Sequence, residues 1–424
     1  MKKTLHMLRP ALLAGLFASH FTLSHAAWER VLELPGAWGF HVCSKTGALL
    51  AADFKTYRDG GIYISEDQGK TWNKTNVKDY TYTRFVEAGD YIFALGYGCR
   101  IARSDDGGHT WEVLNYSRTM DGIIAASDLD YTACYAMIEV NGRLYACDYV
   151  GGVIYSDDWG ETWTHTADDH FVEIVNYEGK GEEKAHQVLY NIETINGRIL
   201  AFGLECVYEY DAERDKWSTV RFDSNCMSVS VHHNGAIYCG RAIENDDPAA
   251  AFLEYTSDAE SWKHTTRPEG LVSNYVRSLA SADGRLFVGT IRNGVYHSPD
   301  DGNTWEAVNT EEMPLQFPGI PGMENYKLAI LNLGADKDYL YAAAFASEYE
   351  PNTEPGIYRI ALSELTLKPE QISTATAEAH CTQAYDLQGR RADWSDTSSK
   401  QAPGIYVLTN GTRTQKIIIK KVRF

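Results

Sequence analysis

An eight-residue polar motif, Ser-x-Asp-x-Gly-x-Thr-Trp, recurs along the chain and constrains its fold more than any other sequence feature. We call this motif the box. Four intact copies occupy residues 65–72, 104–111, 156–163 and 298–305. A shorter copy runs from Thr256 to Trp262, and a remnant runs from Asp211 to Trp217. A motif that returns every 40 to 50 residues or so predicts an array of equivalent supersecondary units.

The segments between boxes have the pattern of short β-strands. Tight-turn dipeptides of the Asn-Gly or Asp-Gly type occur at residues 141–142, 196–197, 234–235 and 283–284. Strands rich in β-formers follow them, for example Arg143–Cys147 and then Gly152–Tyr155. These dipeptides supply the positive φ angles that hairpins need, so each unit is predicted to be a four-stranded antiparallel sheet whose last strand begins at the box Trp.

The number of sheets follows from the residues that mark the fourth strands. Six Trp residues do so: Trp72, Trp111, Trp163, Trp217, Trp262 and Trp305. A seventh set of three strands, from about residue 327 to 360, has no box, but residues 27–31 (Ala-Trp-Glu-Arg-Val) have the pattern of a fourth strand. The fold class is therefore predicted to be all-β, a seven-bladed β-propeller closed by its N-terminal strand, with six blades as the alternative.

The box resembles the Asp-box (BNR) repeat of sialidases, sortilin-type receptors, some xyloglucan hydrolases and the photosystem II assembly factor family. The resemblance covers roughly residues 28–365 and implies that the boxes are structural hairpins on the rim, away from the ligand face. The residues to which it assigns this structural role are Ser65, Asp67, Gly69, Trp72, Ser104, Asp106, Gly108, Trp111, Ser156, Asp158, Gly160, Trp163, Ser298, Asp300, Gly302 and Trp305.

The two ends of the chain differ from the repeat region. Residues 1–26 combine early lysines, a short apolar run and Ser-His-Ala, which predicts a secretory signal peptide. The domains are then a propeller at 27–365 and a small β-domain at 366–424. The last part resembles the C-terminal sorting domain of type IX secretion cargo in the Bacteroidetes, with a plain β-module as the alternative. This implies a secreted or cell-surface protein, associated with the outer membrane through that domain and without a transmembrane segment.

Charge and cysteine content exclude several classes of function. The net charge of −19 disfavours nucleic acid as a partner. No Cys-x-x-Cys and no His cluster at metal-ligand spacing occurs, so we expect no metal and no cofactor. Two Cys pairs, 134 with 147 and 226 with 239, flank Asn-Gly turns and are open to either interpretation, as disulfide bridges or as buried thiols.

Candidate ligand-binding residues lie where second strands end, because the loops there are predicted to surround the mouth of a central channel. The longest such loops are predicted at 54–60, 116–131, 168–187, 241–251, 309–325 and 346–356. The candidates are Asp53, Lys55, Tyr57, Arg58, Tyr97, Arg100, Asp148, Tyr149, Glu205, Arg241 and Arg292. Tyr, Arg and carboxylate side chains around a shallow channel suit a glycan or a peptide.

Three functions compete at this stage. The first, which we favour, is non-catalytic binding of a glycan or an extracellular protein. The second is a glycoside hydrolase of the sialidase type, an exo-α-sialidase. Such an enzyme needs three arginines around a substrate carboxylate, a Tyr nucleophile and an Asp that acts as general acid and base. The Arg-Ile-Pro segment of sialidases is absent from residues 27–424. The third is an assembly or stability factor like the photosystem II family, for which a patch of arginines on the ring is expected.

Overall fold

The computed structural model describes residues 27–56, 59–78, 80–98, 100–115, 133–148, 152–166, 172–176, 182–186, 188–203, 206–222, 227–241, 252–271, 274–346, 353–365, 383–386, 391–392, 404–409 and 414–419. The chain forms two compact units, Met1–Leu365 and Thr366–Phe424.

The first unit contains seven four-stranded antiparallel sheets, or blades. Strand β1 (Glu29–Glu33) precedes blade 1, which consists of β2 (Ala37–Val42), β3 (Leu49–Thr56), β4 (Asp59–Ser65) and β5 (Asn73–Lys74). Blade 2 consists of β6 (Tyr82–Ala88), β7 (Tyr91–Gly96), β8 (Arg100–Ser104) and β9 (Glu112–Asn115). Blade 3 consists of β10 (Cys134–Val140), β11 (Arg143–Asp148), β12 (Gly152–Ser156) and β13 (Thr164–His165), and a separate hairpin of β14 (Val172–Asn176) and β15 (Glu182–His186) follows it.

The remaining blades repeat this arrangement. Blade 4 consists of β16 (Leu189–Ile195), β17 (Arg198–Gly203), β18 (Cys206–Asp211) and β19 (Lys216–Phe222). Blade 5 consists of β20 (Met227–His233), β21 (Ala236–Arg241), β22 (Leu253–Thr256) and β23 (Lys263–His264). Blade 6 consists of β24 (Val276–Ala282), β25 (Arg285–Thr290), β26 (Val295–Ser298) and β27 (Glu306–Ala307). Blade 7 has β28 (Ala329–Ala335), β29 (Tyr339–Phe345) and β30 (Gly356–Ala361), and a single 3₁₀ turn at Leu362–Glu364 ends the unit.

The N-terminal strand supplies the fourth strand of blade 7. β1 pairs with β30 in antiparallel register, with Glu29 opposite Arg359. The Trp28 side chain is 2% exposed, and its Nε1 donates to the carbonyl of Val308 in blade 6 at 2.6 Å. First strands of neighbouring blades contact each other around the whole ring, including β2 with β28. The prediction of a seven-bladed β-propeller closed by its N-terminus is confirmed, and the six-bladed alternative is wrong.

Each intact box forms the turn between the third and fourth strands of its blade, and its polar side chains form hydrogen bonds with other residues of the same turn. In blade 1 the Ser65 hydroxyl donates to Asp67 at 2.9 Å and accepts from the backbone N–H of Gly69 at 2.9 Å. Asp67 also accepts from the backbone and hydroxyl of Thr71. These bonds, those from Thr71 above all, lower the pKa of Asp67 to about 2. The same set recurs in the boxes of blades 2, 3 and 6.

The boxes also join neighbouring blades through the carbonyl of their fourth residue. That residue has a positive φ angle, for example 61° at Gln68 and 59° at Trp159. The Gln68 carbonyl accepts from Arg359 of blade 7, and the Trp159 carbonyl accepts from Arg103 of blade 2 at 2.9 Å. The Asp301 carbonyl of blade 6 likewise accepts from Tyr238 of blade 5. Because the left-handed backbone turns this carbonyl outward, these three boxes each give the preceding blade an acceptor.

Second strands carry the most deeply buried side chains. Phe93, Phe202, Phe287 and Tyr341 lie one to a strand on β7, β17, β25 and β29, and each is fully buried. They pack between adjacent sheets, where the stacked blades exclude water from both faces. The ring is therefore stabilised mainly by apolar contacts between blades.

The structure also tests the predicted loop at 54–60 and the two interpretations of the Cys134 and Cys147 pair. The prediction of a loop at 54–60 is wrong, since β3 and β4 continue their pairing to Thr56 opposite Asp59. The thiols of Cys134 and Cys147 are buried and donate to the carbonyls of Ala136 and Asn191, which favours buried thiols over a bridge for this pair. Cys226 lies outside the described residues.

The second unit contains a four-stranded antiparallel sheet in the order β32-β31-β33-β34. Its strands are β31 (Gln383–Asp386), β32 (Arg391–Ala392), β33 (Gly404–Thr409) and β34 (Thr414–Ile419). Across the described part of both units, no helix is long and apolar enough to span a membrane.

Truncation of the closing Trp should destabilise the whole ring. Trp28→Ala removes a buried indole and leaves the Val308 carbonyl without its donor, so we expect a loss of about 3 to 5 kcal/mol in the free energy of unfolding. Arg30→Ala, on the exposed side of the same strand, is the control and should change stability by about 0.5 kcal/mol or less. Chemical denaturation measures both, and equal effects would contradict the role given to Trp28.

Acid should weaken the contact between blades 1 and 2. Burial of Glu87 opposes its ionisation, but hydrogen bonds from His41 and Ser44 prevail and lower its pKa from 4.5 to about 2. A lowered folded-state pKa gives stability that is complete above about pH 4.5 and is lost as the pH falls towards 2. Glu87→Gln should therefore melt below the wild type at neutral pH, with a difference that shrinks across this range. Asp90→Asn, at an exposed carboxylate, is the control, and a pH-independent difference for Glu87→Gln would refute the assignment.

Candidate binding site at the channel mouth

Seven equivalent β-bulges mark one end of the central channel. In every blade the first strand holds one extra residue relative to the second strand. These bulge residues are Trp38, Thr83, Tyr135, Tyr190, Ser228, Arg277 and Leu331. Each lies at the end of the first strand that faces the exit of the second strand, for example next to the pair Ala37–Asp53 in blade 1. A bulge re-aims a side chain and interrupts the ladder of backbone hydrogen bonds.

Polar side chains just below the bulges fill the channel. Arg84 of blade 2 donates to the Asn191 side chain of blade 4 and to the Ser228 carbonyl of blade 5, both at 3.3 Å. Asn332 of blade 7 donates to the carbonyls of Trp38 and Thr83. The carbonyls of three bulge residues thus accept from side chains of other blades, which satisfies groups that the bulges remove from the strand ladder.

Above this layer, a cavity of about 290 Å³ opens between blades 1, 6 and 7. We call it the mouth cavity, and its lining consists of Trp38, Arg277, Ile291, Gln316, Ala329, Leu331 and Phe345. The Trp38 ring lies 4.8 Å from Phe54, 5.4 Å from Phe345 and 6.1 Å from Tyr97, measured between ring centroids. The cavity is thus mainly aromatic and aliphatic, with one guanidinium and one amide.

Arg277 differs from the other arginines near the channel. Its side chain is half-buried, and among the residues that the structure describes it has no hydrogen bond, ion pair or ring contact. Burial, and next the positive charge of Arg277, lower the pKa of Arg84, while Glu193 opposes them. The hydrogen-bond donors of the Arg277 guanidinium are therefore not used by the described residues.

Five of the candidate residues from the sequence have described side chains. Asp53 is 2% exposed, and its carboxylate accepts from the backbone N–H of Gly36 at 3.2 Å. Arg241 is 6% exposed at the end of β21. Arg100 lies over the Tyr80 ring, and Arg292 lies over the Tyr326 ring. Tyr97 contacts Trp38 beside the mouth cavity, so it is the candidate nearest to the site.

The other six candidates stay predictions. Lys55 and Asp148 lie on β3 and β11, but their side chains are outside the described part of the chain. Tyr57, Arg58, Tyr149 and Glu205 lie wholly outside it.

The sequence interpretation missed the residues that line the mouth cavity because it considered second strands only. Trp38, Arg277 and Leu331 are bulge residues of first strands, and a bulge leaves no mark in the period-two pattern. Each first strand has an apolar residue before the bulge position, as in Ala-Trp-Gly, Val-Arg-Ser and Ile-Leu-Asn, but regular strands carry apolar residues too, so this signal does not locate the bulge.

Metal-ligating side chains do not cluster. Within the described ranges, no group of three or more His, Cys, Asp or Glu residues is placed to hold a metal ion. The residues of the mouth cavity supply aromatic surface and hydrogen-bond donors, which is the chemistry of binding.

Comparisons with known proteins identify the fold but no family. No protein-family model matches the chain, and no curated protein matches it in sequence. Among solved structures, YCF48 bound to D1 peptide is 13% identical, with a TM-score of 0.52 over 80% of this chain and 98% of the other. The GH74 enzyme of Niastella koreensis is 14% identical, with a TM-score of 0.52 over 78% of this chain and 53% of the other. The extracellular domain of the putative one component system BT4673 from B. thetaiotaomicron is 14% identical, with a TM-score of 0.53 over 92% and 46%.

These likenesses establish a β-propeller. At such low identity they carry the architecture alone, and two of the three structures are about twice the length that this chain matches.

Two arginines that face the same channel should differ in their effect on stability. Arg84→Ala removes the donor of the Ser228 carbonyl and of Asn191, so we expect a loss of about 1 to 3 kcal/mol in the free energy of unfolding. Arg277→Ala removes no bond within the described residues and should change stability by about 0.5 kcal/mol or less. Urea denaturation measures both, and a larger loss for Arg277→Ala would contradict this account of the mouth.

Proposed function

We propose that the propeller is a non-catalytic binding module that holds an extracellular ligand, a protein segment or a glycan, at the mouth cavity. The observation that carries the proposal is the half-buried Arg277 beside the aromatic group around Trp38. Such a site offers apolar surface for affinity and a small number of polar groups for orientation, as ligand sites in proteins commonly do.

The lining favours a protein segment over a glycan. Ile291, Leu331 and Phe345 present more apolar surface than a chain of sugar hydroxyls uses. The segment 309–325 runs beside the cavity, contributes Gln316 to it, and exposes Ile320 by 46%. An exposed apolar side chain on a segment that also lines the cavity suits a peptide with apolar residues of its own. A structural neighbour, YCF48, is a propeller bound to a peptide.

The sialidase alternative receives less support. A carboxylate clamp would have to come from the four arginines among the channel-mouth candidates. Of these, Arg100 lies over Tyr80, Arg292 lies over Tyr326, and Arg241 is buried. Arg58 lies outside the described residues. The three described arginines engage different surroundings, whereas a clamp requires guanidinium groups that share one anion.

The assembly-factor alternative is a form of protein binding, so it falls within the proposal. Its expected arginine patch would lie at the mouth, where Arg277 adjoins Arg84. The proposal also places the module outside the cytoplasm, supported by the leader-like residues 1–26, by the sorting-domain resemblance of residues 366–424 and by the extracellular location of the BT4673 domain.

Peptide selection on the propeller tests the proposal. A random peptide library selected on wild-type protein should yield sequences that bind the mouth cavity, and Trp38→Ala should weaken them by about tenfold or more through loss of aromatic contact. Arg277→Gln should weaken the binding of peptides that carry a carboxylate and leave the binding of other peptides unchanged. Isothermal titration calorimetry measures each affinity.

Two controls complete this test. Trp305→Phe, on the rim of blade 6, should bind the selected peptides like wild type. Incubation with 4-methylumbelliferyl N-acetylneuraminate should show no hydrolysis. Peptides that bind Trp38→Ala as tightly as wild type would overturn the choice of site, and turnover of the sialoside would overturn the non-catalytic role.

A further inference from the structure

The box of blade 5 differs from the intact boxes by one missing residue. Thr256, Asp258 and Ala259 correspond to the first, third and fourth positions, since Ala259 has the positive φ of the fourth position, 64°. The next residue is Glu260, and the Gly of the fifth position is absent. Thr256 and Asp258 still make the hydrogen bonds of the turn, so the hairpin is formed although it is shortened.

The missing Gly deprives Trp262 of its acceptor. In blades 1, 2 and 3 the box Trp donates its indole N–H to the carbonyl of that Gly, at 2.9 to 3.1 Å. In blade 6 the Trp305 indole donates to the Thr266 carbonyl instead, at 3.0 Å. The Trp262 indole N–H has no acceptor within the described residues. A half-buried Trp with an unused donor departs from the pattern of the four intact boxes.

Beside Trp262 lies a groove of about 450 Å³, on the rim between blades 4 and 5. We call it the rim groove, and its lining consists of Arg198, Val220, Arg221, Ala259, Glu260 and Trp262. Its outer wall is β19, which at seven residues is longer than the fourth strands of the other blades. Val220 is the extra residue of a bulge on this strand and is 40% exposed, so its side chain is available at the groove surface.

Both arginines of the rim groove already have carboxylate partners. Arg198 forms a two-point contact with Glu209 at 2.6 and 2.7 Å and reaches Glu260 at 3.3 Å. Arg221 pairs with the buried Glu254 at 2.7 Å and lies over the Trp262 ring at 5.1 Å. The positive charges are thus balanced, which leaves no surplus charge for an anionic ligand.

We propose that the rim groove is a second binding site and that its ligand is a neutral carbohydrate. Sugar hydroxyls both donate and accept hydrogen bonds, and the groove offers an acceptor and a donor to match them. The Trp262 indole N–H is a donor, and the carboxylate of Glu260, whose side chain is 77% exposed, is an acceptor. The indole and the aliphatic Val220 supply apolar surface for the C–H faces of a sugar ring.

The same observations disfavour charged ligands. An anion would compete with Glu209 and Glu254 for guanidinium groups that are already engaged. A cation would have to displace Arg221 from the Trp262 ring. The rim groove shares no lining residue with the mouth cavity, so this inference does not depend on the proposed function.

A panel of defined oligosaccharides tests the inference on the full-length protein. Cellohexaose, laminarihexaose, mannohexaose and chitohexaose are the neutral probes, and tetragalacturonate and tetralysine are the charged ones. Saturation-transfer NMR and tryptophan fluorescence should detect at least one neutral probe. Trp262→Phe, which keeps an aromatic ring and removes the N–H, should weaken its binding about three- to tenfold. Trp305→Phe is the matched control and should leave it unchanged.

A second variant tests the inference independently, in case Trp262→Phe does not fold. Replacement of residues 256–262 by the intact sequence of residues 156–163 restores the Gly, and its carbonyl should accept the indole N–H and abolish sugar binding with the fold retained. Trp38→Ala should leave sugar binding intact. The inference is overturned by binding of no neutral probe, by binding of charged probes alone, or by an affinity that neither Trp262→Phe nor box restoration lowers.

Discussion

The pairing of β1 with β30 is the constraint on which the rest of the propeller depends. Because the first strand of the chain completes the last blade, every blade has two neighbours and the second strands are covered on both faces. Trp28 inserts between blades 6 and 7, so closure is made by packing as well as by backbone hydrogen bonds. A closed ring also fixes the radius at which the seven first strands meet, and that radius decides which side chains can reach across the channel.

Much of this architecture was predictable from sequence because its signals are local. A box and an Asn-Gly turn each specify their own backbone angles, so the strands between them, the blade count and the closing strand all followed from the residues. The mouth cavity was not predictable in the same way. Trp38 and Arg277 are more than 200 residues apart in sequence and meet only because the ring closes, and the bulges that position them are set by strand pairing. Among the candidates at second-strand exits whose side chains are described, Tyr97 makes a ring contact with Trp38 of the cavity lining.

The channel also brings positive charges together within an acidic protein. The chain has a net charge of −19, yet the charge of Arg277 acts on Arg84 within the ring, where Glu193 opposes it. Arg84 is held by groups of blades 4 and 5, and its lowered pKa reflects the burial and the repulsion that this position imposes. Arg84 is thus fixed by its hydrogen bonds, whereas Arg277 makes none with the described residues. Placement of like charges at this cost is typical of a binding site, where the ligand supplies the missing counter-charge or acceptor.

The seven bulges and the boxes divide the molecule into constant backbone and variable chemistry. Every first strand has such a bulge, but the residue there ranges from Ser228 to Trp38, so the side chains at the mouth can vary without any change in strand pairing. The rim varies by a different route. Loss of one Gly from a box keeps the hairpin bonds of Asp258 while it releases an indole donor and opens a groove. In both places the backbone hydrogen bonds of the blade are satisfied first, and the side chains that remain unsatisfied are the ones available to a ligand.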